Sequence, residues 1–103
     1  MTKKRITVVA HVRARPGLEE TVRAELLKLV AETRKEQGCV NYDLHVSADD
    51  PGHFMFYENW ESLAHLDRHA ASPHIQAFRA RSPELLLEPT QVTLWELLNE
   101  APN

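Results

Sequence analysis

Apolar and polar residues alternate strictly from Ile6 to Ala14, with Ile6, Val8, Ala10, Val12 and Ala14 on one side and Thr7, Val9, His11 and Arg13 on the other. That is the pattern of a strand with one apolar face. Pro16-Gly17 then turns the chain. From Leu18 to Lys35 the period becomes helical: Leu18, Val22, Leu26, Leu29, Val30 and Thr33 form a stripe, and charged residues take the other faces. Glu19 and Glu20 open this segment and Arg34 and Lys35 close it, the order that the helix dipole favours. Gly38 is the expected stop, which places the first helix near 18–36. Period two returns from Cys39 to Ser47, with Val40, Tyr42, Leu44 and Val46 on one face and Asn41, Asp43 and His45 on the other. Asp49-Asp50-Pro51-Gly52 is a turn. The next strand, His53 to Trp60, puts Phe54, Phe56, Glu58 and Trp60 on a shared face, and a hairpin joins it to its predecessor.

Ser62 is placed to cap a helix from Leu63 to about Ala70. Ser72-Pro73 starts a second helical segment that runs to about Arg81, where Ser82-Pro83 is expected to break it. Glu84 to Pro89 reads as a loop anchored by Leu85, Leu86 and Leu87, and Thr90 to Leu98 as the last strand, before a tail of residues 100–103. The order is βαββαβ, so the expected fold is α+β and ferredoxin-like: an antiparallel sheet with two helices on one face. Such a sheet leaves its second face uncovered. Val9, Met55, Tyr57, Trp95 and Leu97 fall on that face, and an exposed apolar patch of this kind marks an interface. A homodimer packed sheet on sheet is the expectation.

Composition changes this picture little. The 103 residues fit a single domain, 1–103, able to bury roughly 65% of its unfolded surface. Hydrophobic residues at 43% and a formal charge of −3 give no electrostatic reason to expect nucleic acid or an anionic membrane as a partner. No apolar run approaches the ~18 residues of a spanning helix, and a strand pattern follows Met1-Thr2-Lys3-Lys4-Arg5 directly, which argues for the cytoplasm. The lone Cys39 has no partner for an internal disulfide and reads as a small core residue.

Candidate chemistry concentrates where the third strand turns into a helix, from Glu58-Asn59-Trp60 through His65, His69 and His74 to Phe78. Aromatic and imidazole groups at one junction are what a small-molecule pocket needs. The plainer alternative makes Trp60 a core anchor and the histidines surface residues. His65 and His69 stand four apart, a spacing that can hold a metal on one helical face. At ~100° per residue His65 points away from the Leu63, Leu66 and Ala70 stripe, so it is expected in solvent, whereas His69 borders the stripe. No carboxylate of recognised spacing joins the pair, and no metal is expected. His74 either caps and packs the second segment or reaches the pocket. His11, His45 and His53 read as surface or interface residues.

Gly38-Cys39-Val40-Asn41-Tyr42, Asp50-Pro51, Phe54, Glu58-Asn59-Trp60, His69 and Ser72-Pro73-His74, in this order and spacing, resemble the antibiotic biosynthesis monooxygenase family, relatives of which include quinol monooxygenases. The resemblance implies a dimeric α+β barrel in which two ferredoxin-like sheets face each other. It also implies oxygen insertion into an electron-rich phenol, quinol or anthrone without flavin or metal. With no cofactor, the substrate anion must itself give an electron to molecular oxygen. The protein's share is to hold the ring in a dry pocket, take its proton and stabilise the anion. On that basis His69 is the candidate base, since imidazole titrates near neutrality. Trp60 would wall the pocket and Tyr42, Phe56 and Phe78 would line it. Asn59 or His74 would bind a substrate oxygen, although strand parity aims Asn59 opposite Glu58 and Trp60. Haem-degrading relatives use an Asn on the first strand, and residues 6 to 14 contain none. A non-catalytic, dimeric ligand-binding or stress-associated module stays open. A cavity reached by His69 separates an enzyme or binder from a filled-core interaction module.

Overall fold

The computed structural model describes residues 4–100. Its elements are β1 (Ile6–Arg13), α1 (Glu19–Thr33), β2 (Cys39–Val46), β3 (His53–Trp60), α2 (Leu63–Ala70), α3 (Pro73–Leu85) and β4 (Gln91–Trp95). The strands form one antiparallel sheet in the order β2-β3-β1-β4. This is the expected ferredoxin-like α+β order. Val8, Ala10, Val12 and Ala14 from β1 and its end, with Phe54, Phe56 and Trp60 from β3, are buried on the sheet face that meets Val22, Leu26, Leu29 and Val30 of α1. At ~25 cal/mol per Å² of apolar surface removed from water, burial of this shared face stabilises the fold.

The hairpin between β2 and β3 closes as its turn residues dictate: the Asp50 side chain accepts from the Gly52 N–H at 2.9 Å and the Asp50 carbonyl accepts from the His53 N–H at 3.1 Å. Strict alternation fails at the start of β2. Cys39 pairs with Trp60 and Asn41 with Asn59, so Val40 is the extra residue of a bulge. Val40 is exposed as a result, and Cys39 takes its place against the core.

The helix boundaries also shift. α1 ends at Thr33 rather than near residue 36, because the Lys35 and Glu36 N–H groups bond three residues back, to Glu32 and Thr33. Gly38, at φ +88°, then takes the left-handed conformation that brings the chain into β2. Glu36 therefore sits in a turn and not on a helix face. Ser62 caps α2, accepting from the His65 N–H at 3.3 Å. Pro73 occupies the first turn of α3, but Ser72 makes no side-chain cap bond and its hydroxyl donates to the His69 carbonyl at 2.7 Å.

Ser82-Pro83 does not break α3, which continues to Leu85. Pro83 lacks the N–H that would bond the Arg79 carbonyl, and the Ser82 hydroxyl donates to that carbonyl instead, at 2.9 Å. Leu85 is thus helical and buried with Leu86, and Leu87 is exposed. β4 is shorter than the sequence pattern suggests. Its Val92 and Leu94 pair with Ala10 and Val8 on the helix side, yet both stay exposed at the sheet edge. The opposite face presents Thr7, Val9, Tyr57 and Trp95, with no element of the described residues over it. Among the described residues no helix is long and apolar enough to cross a membrane.

Candidate active site

Between the sheet and the helices lies a cavity of about 460 Å³. Leu26 and Leu29 of α1, Tyr42 of β2, Phe56 of β3 and Ile75 and Phe78 of α3 give it mostly apolar walls. Its edge on the β4 side is formed by Pro89, Thr90 and Val92. Three ionisable groups in its lining are buried, Tyr42, Glu58 and His69. An apolar chamber with a few convergent polar groups is the usual form of a small-molecule site.

His69 is placed by the last turn of α2 and held by three neighbours. Its Nδ1 is 2.8 Å from Glu36 Oε2, its ring lies over Trp60 at a centroid distance of 4.6 Å, and Tyr42 meets it edge-on at 5.4 Å. A carboxylate only accepts, so Nδ1 carries the proton and Nε2 keeps its lone pair. Nε2 has no hydrogen-bond partner among the described residues. Burial pulls the imidazole below its ordinary titration range, with the Glu36 carboxylate opposing. The neutral ring with a free acceptor nitrogen is a competent general base.

Glu58 faces the same chamber from β3. Its Oε1 accepts the Trp60 indole N–H at 2.9 Å, and the residue is 4% exposed. Burial raises its carboxyl to about 7, against the Trp60 hydrogen bond and with help from the Glu36 charge. Near neutrality this group exchanges a proton with little cost. Tyr42 moves the other way as a base candidate: burial and the Glu58 charge push its hydroxyl up, so it stays protonated.

The structure gathers some of the expected residues and disperses others. His69, Tyr42, Phe56 and Phe78 line the cavity. Trp60 does not wall it: the indole is fully buried behind His69, and its N–H is already taken by Glu58. Asn59 lies on the opposite sheet face, accepting from Thr7 Oγ1 at 2.6 Å and donating to Asn41 Oδ1 at 2.9 Å. His74 stays outside the cavity, with its Nε2 2.8 Å from Glu36 Oε2 and 3.2 Å from Ser72 Oγ. His65, expected in solvent, is buried. Its Nδ1 meets Ser62 Oγ at 2.7 Å, and its ring packs on Gly38 so closely that a Cβ there would collide with it. Cys39 is half-buried against the core, its thiol pushed up to about 11 by burial. Glu36 was not singled out from the sequence, and Glu58 entered only as part of the Glu58-Asn59-Trp60 stretch, with no role of its own. For Glu58 a signal existed: a carboxylate in the apolar register of Phe54, Phe56 and Trp60. For Glu36, 33 residues before its partner His69, none did.

Fold and cavity together define a ferredoxin-like α+β protein with a buried imidazole and a buried carboxyl in an apolar chamber. Residues 5–81 match the family model of the antibiotic biosynthesis monooxygenases, and the chain belongs to that family. It is 40% identical over 96 residues to Rv0793 of Mycobacterium tuberculosis, a match that covers 93% of this chain and 94% of that protein. The solved structure of Rv0793 superposes with a TM-score of 0.87 over 95% of this chain and 99% of that one. The crystal structure of PA3566 from Pseudomonas aeruginosa does so with a TM-score of 0.89 at 33% identity, over 95% and 98% of the two chains. The Escherichia coli K12 protein named probable quinol monooxygenase YgiN is 32% identical over 83 residues, 71% of this chain and 80% of that protein.

Proposed function

We propose that this chain is a cofactor-independent monooxygenase acting on a small aromatic, quinol or anthrone-like substrate, with His69 as its base. The observation that carries the reading is His69 itself, an imidazole fixed at Nδ1 by Glu36 with its Nε2 free, on a chamber of about 460 Å³. The name of the Escherichia coli relative supports the substrate class. In this mechanism Nε2 takes a proton from the substrate hydroxyl or the acidic ring carbon. The resulting anion gives an electron to molecular oxygen, and the radical pair joins as a peroxide on the ring carbon, which takes back the proton held by His69. That carbon then loses its remaining hydrogen as a proton, the O–O bond breaks to leave a carbonyl, and the outer oxygen leaves as water. Glu58, with its carboxyl at about 7, holds a proton near the anion and hydrogen-bonds it. The apolar walls from Leu29, Phe56 and Phe78 keep competing water away.

Oxygen-electrode assays of metal-free, flavin-free protein with a panel of quinols and anthrones test this reading. At least one should be consumed, and His69→Gln should lower its turnover by ~10²–10⁴-fold, the usual share of a general base. Turnover of that substrate by His69→Gln at the wild-type rate removes the assignment. A non-catalytic binding module is the reading that gains if no member of the panel consumes oxygen.

The working unit in this reading is a homodimer joined through the open sheet face, where Val9, Tyr57 and Trp95 lie; Trp95 is 57% exposed. An obligate interface of this kind buries on the order of 2,000 Å² or more. Light scattering should therefore give twice the chain mass at micromolar concentration. Trp95→Glu, which places a charge in that interface, should give a monomer or an unfolded chain. A monomeric wild-type protein rejects the dimer.

A further inference from the structure

Beside the cavity, three side chains from separate parts of the chain converge on one point. Glu36 comes from the turn after α1, His69 from the last turn of α2 and His74 from the first turn of α3. His69 Nδ1 and His74 Nε2 each lie 2.8 Å from the same oxygen, Glu36 Oε2, and the three donor atoms lie within 4.8 Å of one another. All three side chains are largely buried, with exposures of 8% for His69, 18% for Glu36 and 20% for His74. The sequence pairs His69 with His65, but the fold turns His65 onto Ser62 and Gly38 and brings His74 and Glu36 to His69 instead. Two imidazoles and a carboxylate are a donor set for zinc and similar divalent transition metals, with room left for a water.

We propose that Glu36, His69 and His74 form a binding site for a zinc-class divalent ion, and that filling it switches His69 off as a base. At metal–ligand bonds of about 2.0–2.1 Å, tetrahedral donor atoms stand roughly 3.3 Å apart, so each oxygen–nitrogen gap must open by about 0.5 Å. Rotation of the Glu36 and His74 side chains, the more exposed two of the three, is the movement this requires. Neutral imidazole binds the ion through its lone pair. The proton on His69 Nδ1 therefore returns through solvent to Nε2, and that on His74 Nε2 goes to Nδ1, with no net proton change. Free of metal, His69 offers the cavity an acceptor; with metal, it offers an N–H. The binding half of the proposal stands without the assigned activity, and the switch half rests on His69 being the base.

Calorimetric titration of metal-free protein with zinc chloride tests the binding half. One ion per chain should bind, with micromolar affinity or tighter. His74→Ala, checked as folded by circular dichroism, should weaken that binding roughly tenfold or more, since even outer-shell losses cost 10–100-fold. The His11 and His53 rings, 2.9 Å apart at Nδ1 and Nε2 on the open face, are the competing pair, so His53→Ala should leave the affinity unchanged. No saturable binding, equal affinity in His74→Ala, or loss in His53→Ala overturns the site. Nitrogen-15 NMR of the histidine rings reads the switch: His69 Nε2 should change from an unprotonated to a protonated signal as zinc is added. An Nε2 that stays unprotonated in the zinc-saturated protein overturns the switch. If zinc behaves as expected but His69→Gln keeps full turnover, the proposed base fails and the metal site stands.

Discussion

At its first turn α2 buries His65 against Gly38, and at its last turn it buries His69 against Glu36, both partners coming from the same α1–β2 connection. The two side chains are alike in exposure, 8% each, and the Nδ1 of each meets one side chain. They differ in what surrounds the rest of the ring. His65 is closed in by Gly38 below and Ser62 beside it, with Glu61 4.0 Å from Nε2. His69 stacks on Trp60 and lines an open chamber. Burial alone does not separate a packing histidine from a chemical one. The second ring nitrogen does: at His65 it faces a surface carboxylate, and at His69 it has no partner among the described residues.

The severest way to break the comparison is Trp60→Ala. Removing a fully buried indole should cost about 3–5 kcal/mol through lost burial and the cavity left behind. It also strands the Glu58 carboxylate without its donor and frees the His69 ring. Urea denaturation should show the loss of stability, and turnover of the folded fraction should fall with it. Near-native stability would mean that the indole is not the platform under His69.

His65→Ala sharpens the contrast with less energy. It removes a buried ring and its bond to Ser62, for a cost of roughly 1–3 kcal/mol. Turnover per folded molecule should stay at the wild-type level, whereas His69→Gln lowers it. Equal catalytic losses from both substitutions would erase the distinction drawn between the two ends of α2.

Much of the architecture was legible in the sequence because β1 and β3 alternate cleanly and both strands lie inside the sheet. The failures sit where tertiary contact overrules local pattern. Val40 follows the alternation of β2, but a bulge at the edge strand turns it outward. His65 was placed by a helical stripe through Leu63, yet Leu63 is 53% exposed and the face of α2 that packs carries His65 and His69. The direction of that face is set by Gly38, which no spacing within the helix reveals. Asn59 is different: parity already aimed it away from the cavity, and the structure agrees. The cavity residues Tyr42, Phe56 and Phe78 were legible as aromatic positions on core-facing registers. The Glu36–His69–His74 cluster was not, since its members meet only after α1, α2 and α3 pack.

The gentlest test acts on Glu58 and reads the cavity side by pH. Its carboxyl rises from an ordinary 4.5 to about 7 on folding, so between these values the folded state binds more proton than the unfolded chain. Stability from this group is therefore complete below about pH 4.5 and is lost as pH rises through about 7. The full shift corresponds to roughly 3 kcal/mol, and the desolvation of a replacing amide offsets part of it. Glu58→Gln keeps an oxygen for the Trp60 indole and removes the titration. It should stabilise the fold relative to wild type at pH 8 by on the order of 1 kcal/mol, read as a higher melting temperature, and the advantage should vanish near pH 4. His69 contributes the opposite slope. Burial depresses its imidazole, so its contribution is present above pH 6.5 and lost as pH falls through the lowered folded value. Repeating the comparison in a His69→Gln background separates the two: the alkaline gain from Glu58→Gln should persist, because desolvation from the walls of the cavity, more than the nearby charge, is what raises the carboxyl. If the gain disappears there, the two groups titrate as one coupled pair, and His69 and Glu58 share a proton rather than holding one each.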